Sequence, residues 1–221
     1  MAVVLRRGLE SNPDWGDRLA FIAEHRGLWI GGWLYWTGAA LAFLNFMTAL
    51  VRAPHRDALR FHLKLAMIFM FAGLAADFSA QAAEMGTLPR LAGPALADWT
   101  AAKGGHAFTL FRQLHRAAVL LTGFLANGLY TLAVAMALNA TRKSYPAWVA
   151  AAGLGVLAAG FSASAAALAG SVPALVAANA VLTLCLLAWL AGVGLEAGRR
   201  ELEAGRLMSA RPSFGRERRQ P

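Results

Sequence analysis

From Ser144 to Leu195 the chain carries not one charged residue, a run that water-soluble folds of this size do not tolerate. A hydrocarbon core about 30 Å thick needs about 20 apolar residues in helix, so the run is too long for a single crossing. Gly170, Ser171, Val172 and Pro173 divide it into two spans joined by a tight hairpin turn. Three further runs precede it. Leu28 to Val51 is uncharged, Leu65 to Ala83 carries only Asp77, and Ala117 to Thr141 is uncharged after a more polar helical approach. Of the 221 residues 58% are hydrophobic and 15% charged, which excludes a disordered chain. The expected fold is all-α: an integral membrane bundle of five transmembrane helices, over residues 28–51, 65–83, 110–141, 146–169 and 173–196.

The segments outside these runs read differently. Residues 1–27 lack the sustained apolar core of a signal peptide, so the first span is expected to direct insertion. Within them Asn12 to Arg26 predicts an amphipathic interfacial helix, with Asn12 and Pro13 starting it and Leu19, Phe21 and Ile22 turned to the membrane surface. Gly86 to His106, punctuated by Pro89, Gly93, Pro94, Gly104 and Gly105, is expected to be the longest loop, with a short helix near Ala95 to Ala102. Residues 199–221 form a basic tail expected to be disordered.

Formal net charge is +9, and Arg199, Arg200, Arg206, Arg211, Arg216, Arg218 and Arg219 concentrate the excess at the C-terminus. Beside a membrane bundle this tail predicts binding to anionic lipid headgroups; no RNA-binding pattern accompanies the arginines, so nucleic acid is not an expected partner. The tail together with Arg142, Lys143, Arg52, Arg56, Arg60 and Lys64 outweighs the basic residues that alternate with them across the bilayer. The positive-inside rule then predicts a cytoplasmic C-terminus and an external N-terminus. Arginine far outnumbers lysine and alanine is abundant, a bias common in bacteria, so the inner membrane is the expected location.

Ionisable groups inside a bilayer are costly and usually face a partner in the bundle interior. Asp77, Gln81 and Glu84 recur at four and three residues and share one helical face. Arg112, His115 and Arg116 do the same at the entry to the third span, and the topology sets both groups at one depth in the outer leaflet. Two readings follow. The six residues are an ion-pair network that fixes helix register, or they line a polar pocket in which Arg112 or Arg116 holds an anion while Asp77 or His115 handles a proton.

No cofactor is expected. A bis-histidine haem needs two imidazoles at one depth, and His62 and His115 fall at opposite ends of their spans, leaving only His106 with His115. The single cysteine, Cys185, excludes an internal disulfide, and no metal motif is present. Trp29, Trp33 and Trp36, with Tyr35, predict an interfacial aromatic belt. Gly153, Gly155, Gly160, Ser162 and Ser164 make the fourth span suited to close helix contact, central in the bundle or between subunits of a homo- or hetero-oligomer. Asn45, Asn127 and Asn179 are suited to interhelical hydrogen bonds.

The stretch Arg18 to Trp36 (RLAFIAEHRGLWIGGWLYW), Phe124 to Tyr130 (FLANGLY), the opening Tyr145 to Trp148 (YPAW) and Leu187 to Gly194 (LAWLAGVG) resemble a family of small bacterial multi-spanning membrane proteins defined as a domain of unknown function. The resemblance implies the bundle fold and brings no catalytic residues. The functional expectation is a non-enzymatic membrane protein that binds a small ligand or partner through the polar cluster, as a sensor, transport factor or complex subunit. The alternative is an intramembrane enzyme or proton-coupled transporter that uses Asp77 and His115.

Overall fold

A computed structural model describes residues 5–53, 57–102 and 105–209 and is helical with no strand among them. The elements are α1 (Trp15–Glu24), α2 (Arg26–Arg52), α3 (Asp57–Ala82), α4 (Leu88–Ala102), α5 (His106–Val119), α6 (Asn127–Thr141), α7 (Ala147–Ala169) and α8 (Val172–Ser209). Wide π-turns at Ala83–Thr87 and Leu120–Ala126 splice α3 to α4 and α5 to α6 into continuous rods. Five of the resulting helical stretches are long and apolar enough to cross a membrane. The chain is a helical membrane bundle, as the uncharged runs require.

Two of these stretches exceed what a bilayer needs. Leu59–Ala101 has 43 residues, about 65 Å at about 1.5 Å per residue, roughly twice the hydrocarbon thickness. The region read as a long loop is therefore helix up to Ala102. Proline and glycine fail to break it for two reasons. The π-turn, whose final bond runs from Leu88 N–H to the Ala83 carbonyl, gives slack where Pro89 lacks a donor and crowds the preceding turn. Beyond it Leu88, Ala92 and Ala95 are buried, so packing outweighs the bond that Pro94 removes. The return into α5 is capped by Asp98, whose carboxylate accepts from Ala107 N–H at 2.6 Å.

Two apolar cores result. The larger joins α2, α3, α6, α7 and α8 around Met47, Met70, Ala133, Val156 and Trp189. The smaller joins Leu5, α1, the start of α2, α4 and α5 around Leu19, Ile22, Trp29, Leu88 and Phe111, and forms a headpiece on one end of the bundle. The amphipathic N-terminal helix is thus docked on protein: Leu19, Phe21 and Ile22 are buried within the headpiece. Its cap is Asp14, which accepts from Gly16 N–H at 2.8 Å, in place of Asn12. Trp29 and Trp33 are likewise buried, while Tyr35 and Trp36 alone of that aromatic group face outward.

The small residues of α7 serve contacts within the chain. A Cβ at Gly153 would meet Leu138, at Gly155 Cys185 and at Gly160 Thr131, which sets α7 centrally between α6 and α8. Asn127 donates to Gly160 O at 2.9 Å and to Ser164 Oγ at 3.1 Å across this contact. Asn179 bonds within its own helix, and Asn45 is exposed. The α7–α8 turn closes on Gly170 at φ 72°, with Ser171 N–H returning to Ala166 O. An alanine in this left-handed position costs about 1–2 kcal/mol; Gly170→Ala is expected to lower the thermal midpoint in detergent without changing the spectrum of the folded state.

α8 continues in helix through Ser209, ten residues past Arg199, where the basic tail was expected to begin. Arg200 donates to Ser144 O and lies 5.4 Å from the Tyr145 ring centroid. Arg211, Arg216, Arg218 and Arg219 lie outside the described residues.

Candidate functional site

Between the two cores lies a buried polar layer. On α3 and the first π-turn, Asp77, Gln81 and Glu84 are each about 1% exposed, after the last bundle residue Leu74 and before the first headpiece residue Leu88. His115, on α5, is 2% exposed. Of the six residues grouped from sequence, the fold brings Glu84 and His115 into contact. It turns Arg112 and Arg116 outward. Arg116 donates to Leu168 O at 3.2 Å, where a cation complements the C-terminal end of α7.

Asp77 makes no ion pair with these arginines. Its two oxygens accept from the Thr122 hydroxyl and, at 3.2 Å, from the Tyr130 hydroxyl. Thr122 sits in the second π-turn, which widens the helix where it approaches Asp77. Gln81 is tied to Thr37 on α2, and the Glu84 backbone carbonyl accepts from Trp29 Nε1 at 2.9 Å. Asp77 and His115 therefore belong to separate hydrogen-bonded sets.

His115 is the centre of the second set. Its Nδ1 lies 2.8 Å from Glu84 Oε1. Its Nε2 lies 2.9 Å from Glu10 Oε1 and 2.7 Å from Arg18 Nη2. Arg18 also stacks over the Trp15 ring at 4.0 Å and donates to Gly8 O at 3.4 Å. Glu10 and Arg18 were not singled out from sequence. A signal for Arg18 was present: Trp15, Arg18, Leu19 and Ile22 form one helical stripe, and an arginine inside an apolar stripe requires a buried partner. Glu10 precedes α1 and has no periodicity to reveal it.

The two contacts at Nε2 need opposite protonation states. A protonated Nε2 donates to the Glu10 carboxylate and confronts the N–H of Arg18; a bare Nε2 accepts from Arg18 and repels the carboxylate. With the ring protonated, two carboxylates balance two cations. Burial works against ionisation of Glu10, but its hydrogen bond and attraction to His115, with Arg18 nearby, hold the carboxyl below its usual range. Burial moves the Arg18 guanidinium down, against the pull of Glu10 and Glu84. Glu10 is 27% exposed and is the group through which the set reaches solvent. Farther out, Arg7 and Asp17 pair on the surface, raising the former and lowering the latter.

Both ring nitrogens of His115 are taken by protein groups. Glu10 and Glu84 flank the ring from opposite sides, so the three donors do not converge on a point, and among the described residues no cluster of metal-ligating side chains forms. No family model, no curated protein and no solved structure matches the chain. The fold defines its class, a multi-pass helical membrane protein.

Proposed function

We propose that this is a non-enzymatic membrane protein of the sensor type, in which His115 binds a proton and the docked headpiece reports it. The observation that supports the reading is the double contact at His115 Nε2, where Glu10 and Arg18, both from the N-terminal segment, compete according to the ring's protonation. The groups that face His115 are Glu84 from the first π-turn, Glu10 and Arg18 from the N-terminal segment; from the neighbouring elements Asp98 is engaged with the start of α5, Asp77 with Thr122 and Tyr130, and Arg90 is exposed. The proposed orientation, supported by the positive-inside count, has the headpiece outside and the C-terminus in the cytoplasm of a bacterial cell. An enzyme or transporter working through Asp77 and His115 has less support, since the two sit in separate hydrogen-bonded sets.

The test is amide exchange over residues 15–24, corrected for the intrinsic pH dependence, between about pH 4 and about pH 9. A lowered carboxyl stabilises docking above its ordinary pKa of 4.5 and loses that contribution as pH falls below it. Exchange is expected to rise by up to about fourfold at the acid end, where only the first part of that contribution is lost. A second change is expected across the titration of His115, absent in His115→Gln. Identical profiles in the two proteins at all pH values would remove His115 as the proton-binding group.

A further inference from the structure

The middle of α2 has one side covered by the bundle and one left open. Ala40, Met47 and Leu50 bury the inner side. Gly38, Ala42, Asn45 and Ala49, at spacings of four, three and four, fall on the opposite side and are all exposed. A Cβ added at Gly38 would meet nothing within 4 Å. Asn45 lies seven residues before Arg52, the last of α2. At about 1.5 Å per residue it is therefore about 10 Å inside a hydrocarbon core about 30 Å thick. Its amide makes no hydrogen bond among the described residues. Other polar groups of the spans are matched locally: the exposed Ser79, Ser162 and Thr183 each donate to the carbonyl four residues back, and Asn179 does the same. An amide that faces hydrocarbon with neither its donors nor its acceptor matched is costly, since no water is there to serve it.

We propose that two copies of this chain pair along this side of α2, with the two Asn45 amides hydrogen-bonded to each other. A second copy is the occupant that fits. An amide carries both donors and an acceptor, so it satisfies its own equivalent across a two-fold axis. Copies inserted in one orientation are related by a two-fold axis only along the membrane normal. That symmetry sets the two α2 helices parallel and brings each residue of the seam to the depth of its equivalent. Gly38, Ala42 and Ala49 are small, so the backbones approach closely enough for the amides to meet. A single asparagine in a seam of this spacing fixes register and the number of helices that pair.

The experiment is Förster transfer between donor-labelled and acceptor-labelled full chains in phosphatidylcholine vesicles, diluted stepwise with lipid. Transfer is expected to fall along a monomer–dimer curve. A hydrogen bond between helices in lipid is worth about a factor of five to thirty in association, so Asn45→Leu should weaken pairing by that amount. Gly38→Leu should weaken it as well, by holding the backbones apart. Ser162→Leu, a polar-to-apolar change on an exposed side of α7, should leave it unchanged. All three positions are exposed, and the helical spectrum of each variant checks that the bundle is intact. Transfer no greater than that of randomly placed monomers at every dilution would overturn the proposal, as would an Asn45→Leu protein that pairs as tightly as the native chain. Equal losses in Asn45→Leu and Ser162→Leu, or native pairing in Gly38→Leu, would overturn it too, by taking the contact away from this side of α2.

Discussion

His115→Leu is expected to destabilise the headpiece by about 3–5 kcal/mol, the usual cost of removing one member of a buried ionic set. Leucine fills much of the imidazole's volume, so the loss is electrostatic. Glu84 is left buried at 1% exposure with neither oxygen satisfied, its Oε2 already having no partner. Glu10 and Arg18 lose the group they share, and Arg18 keeps only its bond to Gly8 O and its stacking on Trp15. The measurement is the thermal midpoint in detergent together with amide exchange over residues 15–24, which separates undocking of α1 from loss of the bundle. Glu84→Leu added to His115→Leu should recover a large part of the loss, because two apolar side chains in contact carry no buried charge. A double variant less stable than the single one by the full cost of a buried leucine mismatch would show that the ionic set does not anchor the headpiece.

The bundle was legible because a bilayer admits little else. An uncharged run long enough to span is helix by necessity, and the Gly170 turn divides the longest run where a left-handed residue was available. Glu84 and His115 were found because charges in apolar runs must have partners, and helical spacing set each on a face. The partner choice was not legible. Arg112 and Arg116 share the helix with His115, but both turn outward, and a different arginine, from α1, reaches the ring. Helical spacing relates residues on one rod; it says nothing about which rod comes to meet it. The segment from Gly86 to His106 misled because Pro89 and Pro94 are locally unfavourable in helix. Their cost is outweighed by burial of Leu88, Ala92 and Ala95 against α1, a term visible only once the N-terminal segment is known to fold back. The same fold-back buries Trp29 and Trp33, which taken alone read as residues of a membrane interface.

Trp29 carries that fold-back, and Trp29→Ala is expected to cost about 3–5 kcal/mol, comparable to the loss of His115. Its indole is fully buried in the headpiece core, lies edge-on to Trp33 with centroids 6.0 Å apart, and is covered by the Gly8 backbone so closely that a Cβ there would stand 2.6 Å from the ring. Alanine would leave a cavity that the Leu5 to Asn12 segment cannot fill without moving Glu10 off His115. Trp29→Phe separates packing from tethering. It keeps most of the apolar surface but removes the Nε1 donor to the Glu84 carbonyl, for an expected cost of about 1–3 kcal/mol as that buried acceptor goes unmatched. Exchange over residues 15–24 should rise strongly in the alanine variant and modestly in the phenylalanine one, with the exchange of α7 unchanged in both. If the phenylalanine variant matches the alanine variant, the hydrogen bond to the π-turn holds the headpiece in register, because the two substitutions share that loss and differ in the apolar surface they keep. If it matches the native protein, burial of the ring alone seats the N-terminal segment, and the π-turn keeps Glu84 in place by its own backbone geometry.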